Sequence, residues 1–156
     1  MFEIKTVSAH CDIPCKIYDP AIFLVAGLSV ARLVDLIQEE SNDLSSLKSK
    51  AQLSRLISEK EEQARIVKQE VNTIWGDYFK QPQLEEFPET HSLVHQIMQM
   101  ASKCKQDVSS QNASDLVALL NRFAEIFWTT KGVKTQLSKA PYPPALNIIT
   151  PVLESA

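Results

Sequence analysis

Glycine is scarce in this sequence, with three among 156 residues. An all-β fold needs many tight turns, and such turns favour glycine, so its scarcity argues against that class. Acidic and basic residues are interspersed and the net charge is −3, so the chain lacks the basic face of a nucleic-acid-binding protein. A chain of this length forms one domain around a single hydrophobic core.

Cysteine is also rare, and its distribution is uneven. Cys11 and Cys15 lie four residues apart near the N-terminus, and Cys104 stands alone. An odd number of cysteines does not make the disulfide framework of a small secreted domain. The pair fits better with a metal site in a reducing compartment, or with one loaded before oxidation.

No export signal or membrane span is evident. The most apolar run, residues 21–34, contains Arg32 and is shorter than the ~18–20 apolar residues that a span needs. Residues 1–9 are too short for a signal peptide and have no apolar centre, although Ser8 and Ala9 are small, as residues before a cleavage site often are. We therefore expect a cytoplasmic protein without membrane contact, and a pro-segment at residues 1–9.

The segment of residues 10–15 concentrates metal-binding chemistry. His10, Cys11 and Cys15 provide one imidazole and two thiols, a set that suits a soft-to-borderline metal. Cleavage after Ala9 would add the α-amino group of His10 and the amide nitrogen of Cys11. Structural zinc normally takes four side-chain ligands, and three are clustered here. The alternative is a loop that binds nothing.

Four helices are indicated by apolar residues at spacings of three and four. The first starts at Asp19 and Pro20, a capping residue followed by a proline in the first turn. The predicted starts are at about residues 20, 45, 87 and 113, and the predicted breaks are residues 41–43, 81–83 and 105–112. Short polar connections between four helices predict an all-α chain, an antiparallel up-and-down four-helix bundle.

The C-terminal segment, residues 132–156, differs in composition from the rest of the chain. Four prolines exclude one continuous helix there: Pro141, Pro143, Pro144 and Pro151. We interpret the segment as an extension that either docks on a neighbour or stays mobile. The predicted organisation is a pro-segment at 1–9, a metal-binding and helical domain at 10–131, and a proline-rich extension at 132–156.

Residues 10–20 resemble a known N-terminal motif. Their pattern, His-Cys-Asp-x-Pro-Cys-x-x-Tyr-Asp-Pro, is similar to the nickel hook of the nickel superoxide dismutases. Residues 75–80, 87–91 and 126–131 resemble three further segments of that family, in the same order. Together the four landmarks cover about residues 10–131.

The resemblance implies an antioxidant oxidoreductase that converts superoxide to O₂ and H₂O₂ by cycling Ni(II) and Ni(III). It implies a nickel ion held by the His10 amine, the Cys11 amide nitrogen and the sulfurs of Cys11 and Cys15. The His10 imidazole would be an axial ligand when nickel is oxidised. It also implies a four-helix-bundle subunit in a homohexamer, and a protease that removes the leader.

Further residues acquire roles by the same resemblance. Tyr18 and Tyr78 would stand beside the open coordination position, where they would order water and gate small anions without acting as bases. Lys80 would lie near the site and, with Lys16, attract superoxide. Two hook residues would fix its shape: Asp12 by local hydrogen bonds, and Pro14 by a cis peptide bond that turns Cys15 toward Cys11.

Three positions depart from the family pattern. Lys16 replaces a glycine, Ala26 stands at the position of a glutamate that pins the ligand histidine, and Gln63 stands at that of a supporting arginine. Loss of such supporting groups typically costs ~10–100-fold in metal affinity or activity. The alternative is therefore a catalytically impaired relative that binds nickel or copper without cycling it. A third hypothesis is a metal-free helical assembly protein that uses the C-terminal extension.

Other candidate ligands stand apart from the hook. His91 and His95 are spaced to share one helix face, which suits either a metal or an exposed surface. Cys104 is expected to be a thiol without a role at the site.

Overall fold

The fold is described by a computed structural model for residues 16–153, and the prediction of a mostly helical chain is confirmed. The elements in that range are α1 Ala21–Glu40, α2 Leu47–Thr73, a π-helical turn Ile74–Tyr78, α3 Gln81–Glu86, α4 Thr90–Gln106, α5 Ser110–Thr130, β1 Thr135–Lys139 and β2 Asn147–Pro151.

The start of α1 follows the predicted local chemistry. The Asp19 Oδ1 atom accepts a hydrogen bond of 2.7 Å from the backbone N–H of Ala21. Pro20 has helical dihedral angles, with φ at −59°, and needs no hydrogen-bond acceptor for its nitrogen. This bond satisfies one of the free N–H groups of the first turn. The predicted start is one residue early, because Pro20 rather than Asp19 holds the N-cap position and α1 begins at Ala21.

Serine caps set the starts of α2 and α5. The Ser46 side chain accepts from the N–H of Ser49, and the Ser109 side chain accepts from the N–H of Asn112. Helix α5 therefore begins at Ser110, a few residues before the predicted start at 113. The break predicted at 105–112 is correspondingly shorter, because α4 continues to Gln106.

Helix α2 ends in a π-helical turn. The backbone N–H of Phe79 donates to the carbonyl of Ile74 across five residues, at 3.4 Å. Such turns are rare in proteins as a whole, but those that occur are often found at functional sites. The second helix ends before residue 81 as predicted, but Gln81–Glu86 form the short helix α3 instead of an irregular break.

The four long helices enclose one core. Helix α1 packs against α2 and α5, and α4 packs against the same two helices, which closes a ring. The largest apolar side chains inside the ring are fully buried: Phe23, Phe123, Phe127, Ile97, Leu116, Leu120 and Ile126. Burial of side chains of this size stabilises the fold by ~1.5–3 kcal/mol each before conformational entropy is counted.

One charged side chain is buried with this core. Lys60 on α2 is 1% exposed, and its ammonium group donates to the backbone carbonyls of Cys104, Lys105 and Asp107. These carbonyls lie at the end of α4, where helical carbonyls lack partners within the helix. Lys60 thereby joins α2 to the C-terminus of α4.

Helix α1 is more apolar than the sequence prediction allowed. By length and composition alone, α1 could cross a membrane, because 18 consecutive residues of it have a mean hydropathy of 1.8. Leu36 and Ile37 extend the apolar run beyond the predicted residues 21–34. Half of that stretch is buried inside the chain, which is typical of a core helix as well.

The C-terminal extension corrects the all-α prediction. Strands β1 and β2 pair antiparallel, from Thr135 opposite Pro151 to Lys139 opposite Asn147. The other three prolines of the segment lie in the loop between the strands, where they interrupt no ladder hydrogen bond.

The hairpin docks on the helices of its own chain. The buried Ala140 packs with Leu28 of α1 and Val117 of α5. Asn121 of α5 contacts β2 with both ends of its amide. Its Nδ2 donates to the Asn147 carbonyl at 2.8 Å, and its Oδ1 accepts from the Ile149 N–H at 2.9 Å.

Candidate metal centre

The predicted ligands lie outside the described residues. His10, Cys11 and Cys15, together with Asp12 and Pro14, precede Lys16, the first residue that the structure describes. Within residues 16–153, no group of three or more His, Cys, Asp and Glu side chains is placed to hold a metal ion. The described part of the chain therefore defines the surroundings of the point where the hook joins the helices.

Two predicted site residues meet at that point. The rings of Tyr18 and Tyr78 are tilted by 52° and their centroids are 5.9 Å apart. Tyr18 comes just before α1, and Tyr78 ends the π-helical turn after α2. The extra residue of a π-helical turn changes the direction of the side chains that follow it, and Tyr78 is the last residue of this turn.

The phenol of Tyr78 is held in place by α5. Its hydroxyl shares a hydrogen bond of 2.7 Å with Thr130 Oγ1, and its ring centroid lies 4.8 Å from that of Phe127. Lys131 adds a cation–π contact, with its Nζ 4.6 Å from the Tyr78 ring centroid. Thr130 and Lys131 received no site role from the sequence, although Thr130 shares a helix face with the inward-facing Phe127.

Lys80 is less constrained than Tyr78. The residue is exposed, and its Nζ lies 3.4 Å from the carbonyl oxygen of Gly76. Its backbone N–H donates to Gln83 Oε1 and begins α3. Lys80 thus lies two residues from Tyr78 in the sequence. Its charge is solvated, so it suits long-range attraction of an anion better than direct binding of one.

A small cavity of about 90 Å³ lies beside Tyr18, between the start of the described chain, α1 and the end of α2. Its lining residues are Ile17, Tyr18, Asp19, Ile22, Glu70, Thr73 and Ile74. The acidic groups of this lining are Asp19, which caps α1, and Glu70 on α2. The lining therefore combines apolar side chains with two carboxylates.

Lys16 has a positive φ angle of 60°, in the left-handed region that favours glycine. The family pattern has glycine at this position, so the backbone keeps the conformation that glycine would supply most easily. The lysine adds a positive charge next to the hook at the cost of backbone strain, which for an L-residue is roughly 1–2 kcal/mol.

Lys16→Gly is expected to leave the backbone unchanged and to remove one steering charge. At low ionic strength the second-order rate constant with superoxide should fall about twofold to fivefold, because a positive charge near the site raises the local anion concentration. The difference should vanish at high salt, where screening removes long-range attraction. The measurement is superoxide decay as a function of ionic strength. Lys48→Gln, an exposed charge at the far end of α2, is the control, and equal salt profiles for both variants would contradict the steering role.

Ala26 and Gln63 stand where the family has a glutamate and an arginine, and both lie in the part of the chain that the structure describes. Ala26 is buried on α1 with 2% of its surface exposed. Gln63 on α2 is half-buried, and its Nε2 donates to Glu59 Oε1 at 2.8 Å within the same helix. Ala26 offers no acceptor for an imidazole N–H, and Gln63 offers an uncharged amide where the family has a guanidinium.

The His91 and His95 pair does not form a metal site with other described ligands. Both histidines are exposed, and His91 Nδ1 accepts a hydrogen bond of 3.1 Å from Trp75 Nε1. This bond assigns the proton of a neutral His91 to the other ring nitrogen. His91 therefore supports the π-helical turn that contains Trp75.

Cys104 is a buried and unreactive thiol. The residue is 2% exposed, and burial raises the pKa of its thiol to about 11. The thiolate is the form that binds metals and reacts with electrophiles, so this cysteine stays inert at neutral pH. Its place inside the helical core fits the predicted lack of a role at the metal.

We expect native-state thiol titration to distinguish the three cysteines. In the folded, metal-free protein, Cys104 should react with a disulfide reagent at least tenfold more slowly than Cys11 and Cys15. Denaturation should remove this difference. A variant with both hook cysteines replaced by serine should show no fast thiol. A fast-reacting thiol in that variant would show that Cys104 is accessible.

Comparison with known proteins decides the family. The sequence model of the family described as nickel-containing superoxide dismutase matches residues 5–131. The chain belongs to the nickel-containing superoxide dismutase family. The prediction of a nickel-type dismutase is thereby confirmed at the level of family and enzyme class.

Two curated relatives match most of this chain and most of their own length. The superoxide dismutase [Ni] of Streptomyces coelicolor is 37% identical over 129 residues, which are 81% of this chain and 91% of the relative. That of Streptomyces seoulensis is 36% identical over 128 residues, 80% of this chain and 90% of the relative. A native nickel superoxide dismutase structure superposes with a TM-score of 0.67 at 30% identity, covering 78% of this chain and 99% of the other. The family match ends at residue 131, and the hairpin follows it.

Proposed function

We propose that this chain converts superoxide to O₂ and H₂O₂ with a nickel ion held by residues 10–15 after cleavage following Ala9. The observation that carries the proposal is the approach of Tyr18 and Tyr78, with ring centroids 5.9 Å apart, next to the residues that follow the hook. These two phenols come from distant parts of the sequence, and the family resemblance assigns both of them to the site.

The donor set of the hook fits nickel. Its thiols, imidazole, amine and amide nitrogen are sulfur and nitrogen donors, a set that would suit a soft-to-borderline metal such as nickel. When bound, nickel would supply the one-electron exchange between Ni(II) and Ni(III) that both halves of a dismutation need. His10, Cys11 and Cys15 would hold it, and Asp12 and Pro14 would maintain the fold of the hook.

The described residues would organise the space around the hook. The 2.7 Å bond to Thr130 fixes the hydroxyl of Tyr78, so this phenol can order water instead of rotating freely. Tyr18 packs against it and narrows access to small species. Lys16 and Lys80 are both exposed and would raise the local concentration of superoxide without binding it tightly.

The assembly and location belong to the same proposal. We propose an antiparallel up-and-down four-helix bundle as the subunit, a cytoplasmic homohexamer as the active form, and a leader-processing protease as a partner. Support comes from the closed ring of α1, α2, α4 and α5 contacts. Ile22 and Val25 are 48% and 55% exposed on one side of α1, and such apolar residues favour contact with another subunit.

The test combines mass, metal content and activity. Protein purified from a nickel-supplied host with a matching leader protease should have a mass that starts at His10, about one nickel per chain and rapid superoxide decay. Retention of residues 1–9 should block activity, because the His10 amine is then an amide nitrogen and a poor donor. Processed, nickel-loaded protein that leaves superoxide decay at the buffer rate would contradict the proposal.

A second candidate function has its own observation. Buried Ala26 and the helix-bonded Gln63 do not provide the carboxylate and guanidinium of the family pair. A relative that binds nickel or copper without cycling it would therefore show stoichiometric metal but no Ni(III) resonance. Electron paramagnetic resonance of the oxidised protein separates the two candidates.

A further inference from the structure

The outer edge of strand β1 is open in the described chain. Residues 136–139 of this strand are all exposed, and Leu137 at its centre is 59% exposed. An uncovered strand edge presents unpaired backbone N–H and C=O groups, and proteins usually cover or blunt it. The edge of β1 is therefore a candidate for contact with a further strand.

The register of the hairpin shows which backbone groups point outward. At the two ends of the paired strands, the Val152 N–H donates to the Lys134 carbonyl at 2.8 Å, and the Ala140 N–H donates to the Leu146 carbonyl at 2.9 Å. Successive residues of an antiparallel strand direct these groups alternately toward the partner and away from it. The even-numbered residues between Lys134 and Ala140 therefore bond toward β2.

The odd-numbered residues of β1 direct their N–H and C=O groups away from β2. These residues are Thr135, Leu137 and Lys139, and within residues 16–153 their outward groups take part in no backbone hydrogen bond. The opposite edge of the hairpin is covered, because the Asn121 side chain bonds to the outward groups of β2. The hairpin thus has one edge satisfied by its own α5 and one edge without a partner in the described chain.

The open edge is complementary to a second copy of itself. When two such strands pair antiparallel about Leu137, all five residues of each strand are paired, and Leu137 lies opposite Leu137 of the copy. Thr135 then lies opposite Lys139 of the copy, so the outward groups of one strand meet those of the other.

Charge and apolar contact favour this register. Lys139 faces the uncharged Thr135, whereas a pairing centred on Lys139 would bring two lysines together, which is unfavourable. Leu137 borders an open groove of about 360 Å³ with Val117 and Ala118 of α5. A second leucine beside Leu137 would cover apolar surface that one copy leaves exposed.

We infer that the extension joins copies of this chain in pairs: β1 pairs antiparallel with β1 of a second copy about Leu137, and the two hairpins form one four-stranded sheet. The contact has two-fold symmetry, so each copy uses the same surface. The inference goes beyond the proposed dismutation, because it assigns a role to residues 132–156, which follow the part of the chain that the family model matches.

Cysteine crosslinking tests the register in the full-length chain. The Cα atoms of a bonded residue pair lie about 5.5 Å apart, within the roughly 4.4–6.8 Å that a disulfide usually spans. Leu137→Cys should therefore link two copies on mild oxidation, and peptide mass mapping distinguishes this link from links of the native cysteines. Lys139→Cys is the matched control on the same face, because position 139 of one copy would lie about 13 Å or more from position 139 of the other. The yield of the 137–137 link should be at least tenfold that of the 139–139 link.

Sedimentation across a range of protein concentrations measures the strength of the contact. Leu137→Lys places two positive charges opposite each other and should raise the dissociation constant at least tenfold. Gln136→Lys adds the same charge to the same strand, but it would face Ser138 of the copy and should associate as the wild type does. Both variants should keep the wild-type thermal unfolding, because both positions are exposed.

Three outcomes would overturn the inference. A 137–137 link no more abundant than the 139–139 link would reject the register. Equal dissociation constants for Leu137→Lys and the wild type, or a wild-type protein that remains a single chain, would reject a second copy as the occupant of the edge. Neither readout requires the hook, a metal or activity, so these outcomes would leave the proposed dismutation untouched.

Discussion

Replacement of Cys15 by serine in the processed protein is expected to abolish nickel binding and superoxide dismutation together. A serine hydroxyl stays protonated at neutral pH and is a hard donor, whereas the deprotonated thiol is the soft donor that the proposed nickel site needs. The rate of superoxide decay should fall to that of buffer, and nickel per chain should fall below about one tenth. Cys11→Ser should behave in the same way.

The matched control for this experiment is in the same chain. Cys104→Ser changes the third cysteine, which is buried in the helical core and has a thiol pKa of about 11. It should cost some stability, because it places a hydroxyl in an apolar site, but it should keep nickel and activity. A Cys15→Ser protein with wild-type nickel and rate, or a Cys104→Ser protein that loses nickel while folded, would refute the ligand assignment.

Replacement of Lys60 by methionine is expected to lower the free energy of unfolding by about 2–4 kcal/mol. The ammonium group of Lys60 is the shared donor for three backbone carbonyls at the end of α4, including the bond of 2.8 Å to Asp107. Methionine fills a similar volume but donates no hydrogen bond. Each carbonyl left buried without a partner costs about 1–3 kcal/mol, and relaxation toward water recovers part of this.

Lys68→Met provides the comparison. Lys68 lies on the same helix, and its Nζ makes one hydrogen bond of 2.9 Å to Ser102 Oγ. A single partly exposed bond contributes about 0.5–1.5 kcal/mol, so this variant should unfold at a denaturant midpoint close to the wild type. Urea unfolding followed by circular dichroism measures both. Equal midpoints for the two variants would show that Lys60 does not hold α4.

Local chemistry made parts of the fold predictable. Asp19 and Pro20 fix the start of α1 through their own side chains, so the sequence suffices there. The start of α5 was misplaced because Ser109 and Ala113–Asp115 both provide plausible starts. The choice between them depends on the bond of Ser109 to the Asn112 N–H.

Other features depend on contacts between distant residues. The prolines exclude a helix after residue 132, but nothing local pairs Leu137 with Ile149 or docks their strands on Asn121. The π-helical turn likewise places Tyr78 against Thr130, a residue 52 positions away. The spacing of apolar residues indicates which side of a helix is buried, but it does not indicate which other element packs against that side.

The candidate site divides in the same way. The resemblance of residues 10–20 and 75–80 identified the hook, Tyr18, Tyr78 and Lys80 from sequence, because those residues stand within continuous motifs. Thr130 lies within the landmark at residues 126–131, but the motif assigned it no role. Its contact with Tyr78 becomes visible only when α5 packs against the π-helical turn.

The docked hairpin restricts how copies of this chain can meet. Its buried Ala140 and the amide of Asn121 occupy the surface where α1 and α5 adjoin, so that surface is closed to any other subunit. The proposed hexamer would therefore use the surfaces that remain, such as the side of α1 that exposes Ile22 and Val25. The extension acts as a spacer carried by each copy, and deleting it would enlarge the set of ways in which the helices can associate.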